Sequence, residues 1–421
     1  MDSMQAIRWI KEPHLIQGEL IPGLTGRVQE IAAHIEKNGF EAITEYACRF
    51  DGCAPYRVAP EDAHKALASI SLELQEAFKN AIANVRFFHQ AQRKILTDAE
   101  WDISPGNRAG IRFIPMDSVG IYIPGGRYPL PSSAIMGVVP AQAAGVPRIA
   151  AFCPPGKNGH IHPAVLAVLS LLEVDEIWAL GGVQAIAAMA LGAGEIKAVD
   201  FISGPGNAYV TEAKRHFWGR VGIDGLAGPS EVLIIADETA DPACIAADLL
   251  AQAEHDPVSR SILISTDERI AEETLKAVSI QLKTLPTHEI ARTSWENQGG
   301  VGIGTRSEAI AYANQIAPEH LELAIKKPRE ALSHCTAYGA AFLGHYSAEV
   351  FGDYIAGTNH TLPTLSRARY SGGVWTGSFL RPLTHLELSQ EGAASLSSGG
   401  ALIADTEGLA GHAAALRARG R

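Results

Sequence analysis

Short runs of β-branched and other apolar residues dominate the middle of the chain: VGIYI (119–123), RIAAFC (148–153), EIWAL (176–180) and AVDFIS (198–203). Between them stand helix-length segments such as PAVLAVLSLLEV (163–174) and VQAIAAMALGAG (183–194). Strands that are apolar on both faces must be covered on both, so this alternation predicts a parallel sheet sandwiched by helices. A second alternating stretch follows, with EVLIIAD (231–237), a helix from about Pro242 to Glu254, SILIST (261–266), a helix after Asp267 and later GAAFLG (339–344). Two α/β units are therefore expected. Ahead of them Val28, Ile31, Ile35, Ile43 and Tyr46 recur at helical spacing up to Asp51-Gly52, which makes the first hundred residues a helical lead-in. The chain ends in an Ala-rich helical pattern closing on HAAALRARGR, read as a helical extension. No internal repeat is visible.

Composition narrows the partners more than the fold. With 421 residues, 47% of them hydrophobic, the chain can bury more than one core. A formal charge of -11 at pH 7 argues against a protein whose main task is neutralising phosphates, so nucleic acid is not expected as a partner. No apolar run approaches the length needed to cross a bilayer, and the start MDSMQAIRWIKEPH lacks the layout of a signal peptide; a cytoplasmic, non-membrane protein is expected. Cys48, Cys53, Cys153, Cys244 and Cys335 show no C-x-x-C spacing, so any metal must use other ligands. The string Asn359-His360-Thr361 matches a glycosylation acceptor, which has no consequence without export.

The usual G-x-G-x-x-G turn of dinucleotide-binding folds is absent. Instead Ile123-Pro124-Gly125-Gly126, Gly181-Gly182-Val183-Gln184 and Ser203-Gly204-Pro205-Gly206-Asn207 each follow an expected strand and precede an expected helix. Glycine lets backbone amides approach a pyrophosphate, and all three turns fall on the sheet edge where open α/β folds bind ligands. Any one of them is explained equally by a tight turn; together they suggest a phosphate-bearing ligand.

In the helix after Asp241-Pro242, Gln252 shares a face with Ile245 and Leu249, and His255 lies three residues further on. A glutamine on an apolar stripe needs a partner, which a metal or a neighbouring hydrogen-bonding group would supply. Asp353, His360 and His412 are further candidate ligands. Ile316-Ala317-Pro318-Glu319-His320-Leu321 reads as a helix start with proline first. There the dipole would favour an ionised Glu319 and a neutral His320, two adjacent bases; capping and packing alone would also account for the pair.

Taken together, Ile123-Pro124-Gly125-Gly126, Gly204-Pro205-Gly206-Asn207, Ala227-Gly228-Pro229-Ser230-Glu231, Gln252-Ala253-Glu254-His255, Pro318-Glu319-His320-Leu321, Gly352-Asp353, Asn359-His360-Thr361-Leu362-Pro363-Thr364 and Glu407-Gly408-Leu409-Ala410-Gly411-His412 resemble the histidinol dehydrogenase family over nearly the whole chain. The resemblance implies oxidation of L-histidinol to L-histidine in two hydride transfers to NAD, the last step of histidine biosynthesis, by a homodimer with one zinc ion per subunit. By that resemblance Gln252, His255 and Asp353 bind zinc from one subunit and His412 from the other, so that the C-terminal extension is exchanged in the dimer. His320 is implied as the base that takes the alcohol proton and Glu319 as the base that activates water. Substrate contacts are implied for Ser230, Gln252, His255, His320, Asp353, His360, Glu407 and His412, and cofactor contacts for Tyr122, Gln184 and Asn207. An amide oxygen, a carboxylate and two imidazoles suit zinc chemically.

On this reading two Rossmann-like parallel-sheet domains are expected. The chain divides into an N-terminal helical arm (1–17), a first α/β domain carrying the metal and catalytic residues (18–121 and 230–374), a second on the NAD side (122–229) and the C-terminal helical extension (375–421). After Pro363-Thr364 the sequence LSRARYSGGVWTGSFL is similar to that of family members that oxidise other alcohols, including sulfonated diols. There Arg367 or Arg369 could grip an anion, whereas Glu407 favours a cationic or imidazole-bearing substrate. A zinc hydrolase and a zinc-stapled binding protein are the readings of other classes; the three glycine turns count against the first and the Glu319-His320 pair against the second.

Overall fold

The structure is a computed structural model that describes residues 7–14, 21–125 and 128–420; Gly126 of the first glycine turn lies outside them. Strand β1 (Arg8–Lys11) is followed by helices α1 (Leu24–Asn38) and α2 (Phe40–Phe50), strand β2 (Tyr56–Arg57), and helices α3 (Pro60–Ser69) and α4 (Leu72–Ile95). A hairpin of β3 (Ala99–Ser104) and β4 (Asn107–Pro115) leads into β5 (Ser118–Tyr122), α5 (Pro131–Ala144), β6 (Arg148–Cys153) and α6 (Pro163–Leu171). Then come β7 (Glu176–Ala179), α7 (Gly182–Leu191), β8 (Phe201–Ser203), α8 (Ala208–Phe217) and β9 (Gly222–Ile223). The second unit runs β10 (Glu231–Ala236), α9 (Pro242–Ala253), β11 (Arg260–Ser265), α10 (Glu268–Gln281), α11 (His288–Gln298), β12 (Gly300–Ile303) and α12 (Arg306–Ile316). It continues through β13 (His320–Ala324), α13 (Pro328–Leu332), β14 (Ala340–Leu343) and α14 (Glu349–Tyr354), and the chain closes with β15 (Leu380–Leu388), α15 (Gln390–Thr406) and α16 (Ala410–Arg419).

Two six-stranded sheets result, in the orders β2-β7-β6-β5-β8-β9 and β1-β12-β11-β10-β13-β14. In each, five strands are parallel and the outermost, β2 or β1, pairs antiparallel. Numbered by their own order, both read antiparallel edge, third, second, first, fourth, fifth. The chain therefore builds one doubly wound topology twice, although no repeat is visible in its sequence. Each sheet is packed on both faces. Val119, Ile121, Ile135 and Val168 fill one face of the first sheet, and Val28, Ile43, Phe152 and Met189 the other. The second sheet has Ile234, Leu249, Leu263 and Val278 on one side and Leu233, Ile264, Tyr312 and Leu321 on the other.

Several expectations need correction. Arg8–Lys11, expected within a helical arm, is a strand added antiparallel to β12. The segment 18–121 does not join the unit that carries Gln252 and His320: α1 and α2 pack in the core of the first sheet, and β5 is that sheet's central first strand. The C-terminal segment is not wholly helical, because β15 pairs antiparallel with β4 to form a three-stranded sheet with β3. Finally, Pro318 does not start a helix. α12 ends at a left-handed Ala317, whose N–H bonds Ala313 O, and the proline after this cap leads into strand β13. Proline stands as readily behind a helix as in its first turn.

Candidate active site

The carboxyl ends of β5, β7 and β8 lie on one edge, and the three glycine turns line a cleft of about 1070 Å³ there. That is where a doubly wound sheet leaves room for a ligand. Tyr122, the last residue of β5, accepts a hydrogen bond on its hydroxyl from Gly182 N at 3.1 Å. Gln184 in the first turn of α7 donates through Nε2 to Asp51 Oδ2 at 3.0 Å, and the same oxygen accepts Gly181 N at 3.0 Å. The amide is thereby fixed, leaving Gln184 Oε1 buried without a protein partner. Asn207 caps α8, its Oδ1 accepting from Tyr209 N at 3.0 Å and Val210 N at 3.2 Å. Gly204 has φ +125°, and a Cβ there would sit 2.0 Å from Tyr122 O, so this turn requires glycine. Beneath it Lys214 bonds both Gly204 O and Asp224, a buried ion pair that holds the turn from below. Arg27, Arg49 and Lys157 add positive charge along the cleft.

His255 lines the same cleft from the second unit. Here the site gathers at the amino ends of the strands: Glu231 begins β10, His320 begins β13, and Gln252 sits near the C-terminus of α9, which runs back toward that edge. His320 Nδ1 donates to Glu231 O at 3.2 Å. Because a carbonyl only accepts, this bond places the ring hydrogen on Nδ1 and leaves Nε2 as a buried lone pair without a protein partner. Asp353 Oδ1 stands 3.9 Å from that Nε2 and 3.9 Å from His360 Nδ1. Glu319 Oε2 accepts Glu231 N at 3.0 Å and lies 3.7 Å from His320 Nδ1; Glu349 Oε2 is 3.4 Å from the same atom.

Burial decides the charge states here. It pushes the His320 and His360 imidazoles down to about 3 and about 4, with the nearby His255 acting in the same direction, and Asp353 up to about 7. Glu319 is raised well above the usual carboxylate range, again by burial. The helix-dipole account of this pair is therefore replaced: His320 is neutral because it is desolvated, and the same desolvation disfavours the ionised Glu319. His255 is exposed at the cleft wall, yet protein crowding lowers its pKa as well. A side chain in a concave wall can be reached by water and still be poorly solvated.

Gln252 is 1% exposed with neither amide atom paired within the chain, and His360 Nε2 is likewise unpaired. These orphaned donors and acceptors call for something outside the chain. Among the described residues, no three His, Cys, Asp or Glu side chains are gathered closely enough to hold a metal. His412, on α16, and Glu407, at the end of α15, are exposed and do not complete the cluster within their own chain. Ser230 is half-buried, its carbonyl accepting Arg260 N at 3.0 Å. Arg367 and Arg369 donate to the carbonyls of Leu226 and Gln315, which engages both expected anion grips in holding the loop. Asp51 and Glu349 have no site role in the sequence reading and Glu231 enters it only as the last residue of the Ala227–Glu231 motif; Asp51 stands there as the end of a helix, and nothing in the spacing marks Glu349.

Two doubly wound sheets with residues of both lining one cleft define the class, an α/β protein with a ligand cleft at its sheet edges. Comparison with known proteins narrows it. The sequence profile of the histidinol dehydrogenase family matches residues 19–420. Histidinol dehydrogenase of Zymomonas mobilis is 42% identical, covering 93% of this chain and 92% of its own, and that of Caulobacter vibrioides is 44% identical over 90% and 88%. The crystal structure of histidinol dehydrogenase from Elizabethkingia anophelis superposes with a TM-score of 0.92 at 38% identity, covering 97% of this chain and 94% of that one. The chain belongs to the histidinol dehydrogenase family.

Proposed function

We propose that this chain oxidises L-histidinol to L-histidine through the aldehyde, with NAD as oxidant, as the last step of histidine biosynthesis in the cytoplasm. The observation that carries this reading is the neutral, buried His320, its Nε2 left without a protein partner close to His255, which lines the cleft edged by the three glycine turns. Tyr122, Gln184 and Asn207 would hold the dinucleotide, which would supply the hydride acceptor. His320 takes the alcohol proton as the carbon gives up hydride, and in the second oxidation it serves the hydrated aldehyde. Glu319 takes a proton from the water that adds to the aldehyde. Ser230 and His360 contact substrate, and Glu407 of a partner subunit accepts from its imidazole ring.

The orphaned Gln252 amide and the neutral imidazoles fit zinc, with Gln252, His255 and Asp353 as ligands and a fourth from the partner subunit's His412. When bound, zinc supplies a Lewis-acid anchor for the substrate nitrogens and favours ionised carboxyls around it. The homodimer follows from that ligand set. It is supported by exposed apolar side chains on both surfaces it would join, Leu402, Ile403 and Leu409 on the C-terminal helices and Phe351, Tyr354 and Ile355 beside Asp353. Five free cysteines agree with a reducing compartment. Oxidation of a sulfonated diol is not favoured, since Arg367 and Arg369 are already engaged with main-chain carbonyls.

The test is NADH formation by the zinc-loaded protein with L-histidinol, beside a panel of sulfonated and amino alcohols. Two NAD reduced per histidinol consumed is expected. Silence with histidinol and turnover of another alcohol would remove the substrate assignment and leave the family assignment standing.

A further inference from the structure

Helix α5 carries Pro140 in its interior. Proline has no N–H, so the carbonyl four residues back, Met136 O, loses its helical donor deep in the core of the first unit. The missing donor comes from the other end of the sequence: Asn359 Nδ2 donates to Met136 O at 2.8 Å. The remaining capacity of that amide is also used. Its Nδ2 approaches His89 Nε2 at 3.4 Å, and its Oδ1 accepts Thr361 N at 2.8 Å. His89 Nδ1 faces Gln92 Oε1 at 2.9 Å, which fixes the ring hydrogen there and leaves Nε2 to accept. His89 is fully buried, and burial holds it down to about 4, so the ring is neutral above that pH. Thr376 Oγ1, in the segment after the loop, donates to the main-chain carbonyl of His89 at 2.9 Å. The residue that follows Asn359 is His360.

We infer that the gap left by Pro140 is a socket, and that Asn359 seated in it acts as a positioning residue for His360 in the active site. The chain around 357–364 has no strand or helix of its own, so without this anchor the imidazole would depend on a loop for its placement. A binding group is effective only when held close to its productive geometry. The inference rests on the proposed role of His360 as a substrate contact. It also makes Asn359 unavailable as a glycosylation acceptor in the folded protein, since its amide is buried and fully engaged.

Three variants of the zinc-loaded enzyme test it: Asn359→Leu, Pro140→Ala, and the two combined. Asn359→Leu strands Met136 O without a donor and should lower Tm and raise the KM for histidinol about three- to tenfold, with kcat changed less. Pro140→Ala restores the helical N–H, so in the double variant Tm should recover while KM stays high. A merely structural role for Asn359 predicts that KM recovers together with Tm, and that result would overturn the inference. So would an unchanged KM in Asn359→Leu if His360→Ala raises it. Hydrogen exchange of the peptide covering 357–364 separates this failure from that of the functional reading. Faster exchange in Asn359→Leu and in the double variant upholds the anchor even if His360→Ala leaves KM unmoved, and unchanged exchange in both rejects it.

Discussion

Nδ1 of His320 is committed to a carbonyl that can only accept, and this single bond turns an ordinary imidazole into a base with a defined direction. His320→Gln should therefore lower kcat by at least about 10²-fold. Zinc stoichiometry, read by atomic absorption, should stay unchanged, because His320 is not among the assigned ligands; a variant that retains full activity would take His320 out of the mechanism. Asp51 works one step further from the chemistry, by fixing the orientation of the Gln184 amide. Asp51→Leu should raise the KM for NAD about tenfold with kcat little changed, whereas Asp51→Asn, which keeps an acceptor oxygen, should stay near the parent value. Steady-state titration of NAD at saturating histidinol checks both. His89 makes a prediction about stability. An unfolded histidine binds a proton below about 6.5, but buried His89 does so only near about 4. Between those values the unfolded chain holds more protons, so stability rises with pH. The contribution, about 3 kcal/mol, is fully present above about 6.5 and is lost as pH falls toward about 4. Urea unfolding of the parent and of His89→Gln across that window should show the steeper acid loss in the parent, and equal slopes would show that His89 is not protected from protonation.

The elements that were legible are those whose chemistry is local. RIAAFC and EVLIIA read as strands because both faces of each are packed, so every position is apolar or paired, and the glycine turns follow directly from where such strands stop. HLELA was misread because a proline before it serves equally as a helix opener or as the residue after a helix cap; only the left-handed Ala317 shows which. Strand β1 is too short to announce itself, and β15 owes its existence to β4, some 270 residues away, so neither carries a strong pattern of its own. The site divides the same way. Gln252 and His255 are marked by an amide on an apolar helix face, while Asp353 and His360 are candidates by residue type alone, and only the family resemblance gives each a role. The ion pair under the second glycine-proline turn was not visible at all. Lys214→Met would leave Asp224 buried and unpaired beneath the Gly204 turn, at a cost of about 3–5 kcal/mol. Thermal unfolding should show a large drop in Tm together with a raised KM for NAD. Removing both charges in Lys214→Met/Asp224→Leu should recover part of the Tm, and a single variant as stable as the parent would mean that the pair does not hold the turn.

At the scale of the whole molecule, the residues proposed for the active site fall in places that one chain does not bring together. Gln252, His255, His320 and Asp353 converge at the amino edge of the second sheet, whereas Glu407 and His412 sit exposed at the ends of the C-terminal helices. If a partner subunit supplies those two residues, the defects of His320→Gln and His412→Ala lie on opposite sides of every shared site. Each variant alone should then be inactive, in both of its sites. In a heterodimer of the two, one site collects both defects. The other combines an intact His320 from one chain with an intact His412 from its partner. Random subunit exchange makes about half the dimers mixed, with one intact site in two, so activity should recover to about a quarter of the parent level. The measurement is NADH formation before and after the two variants are mixed under conditions that allow exchange, with heterodimer formation followed by differently tagged chains. Recovery toward that ceiling identifies sites shared across the interface. No recovery in a sample shown to contain heterodimers would place His412 in its own chain's site, and the exchange of the C-terminal extension would be wrong.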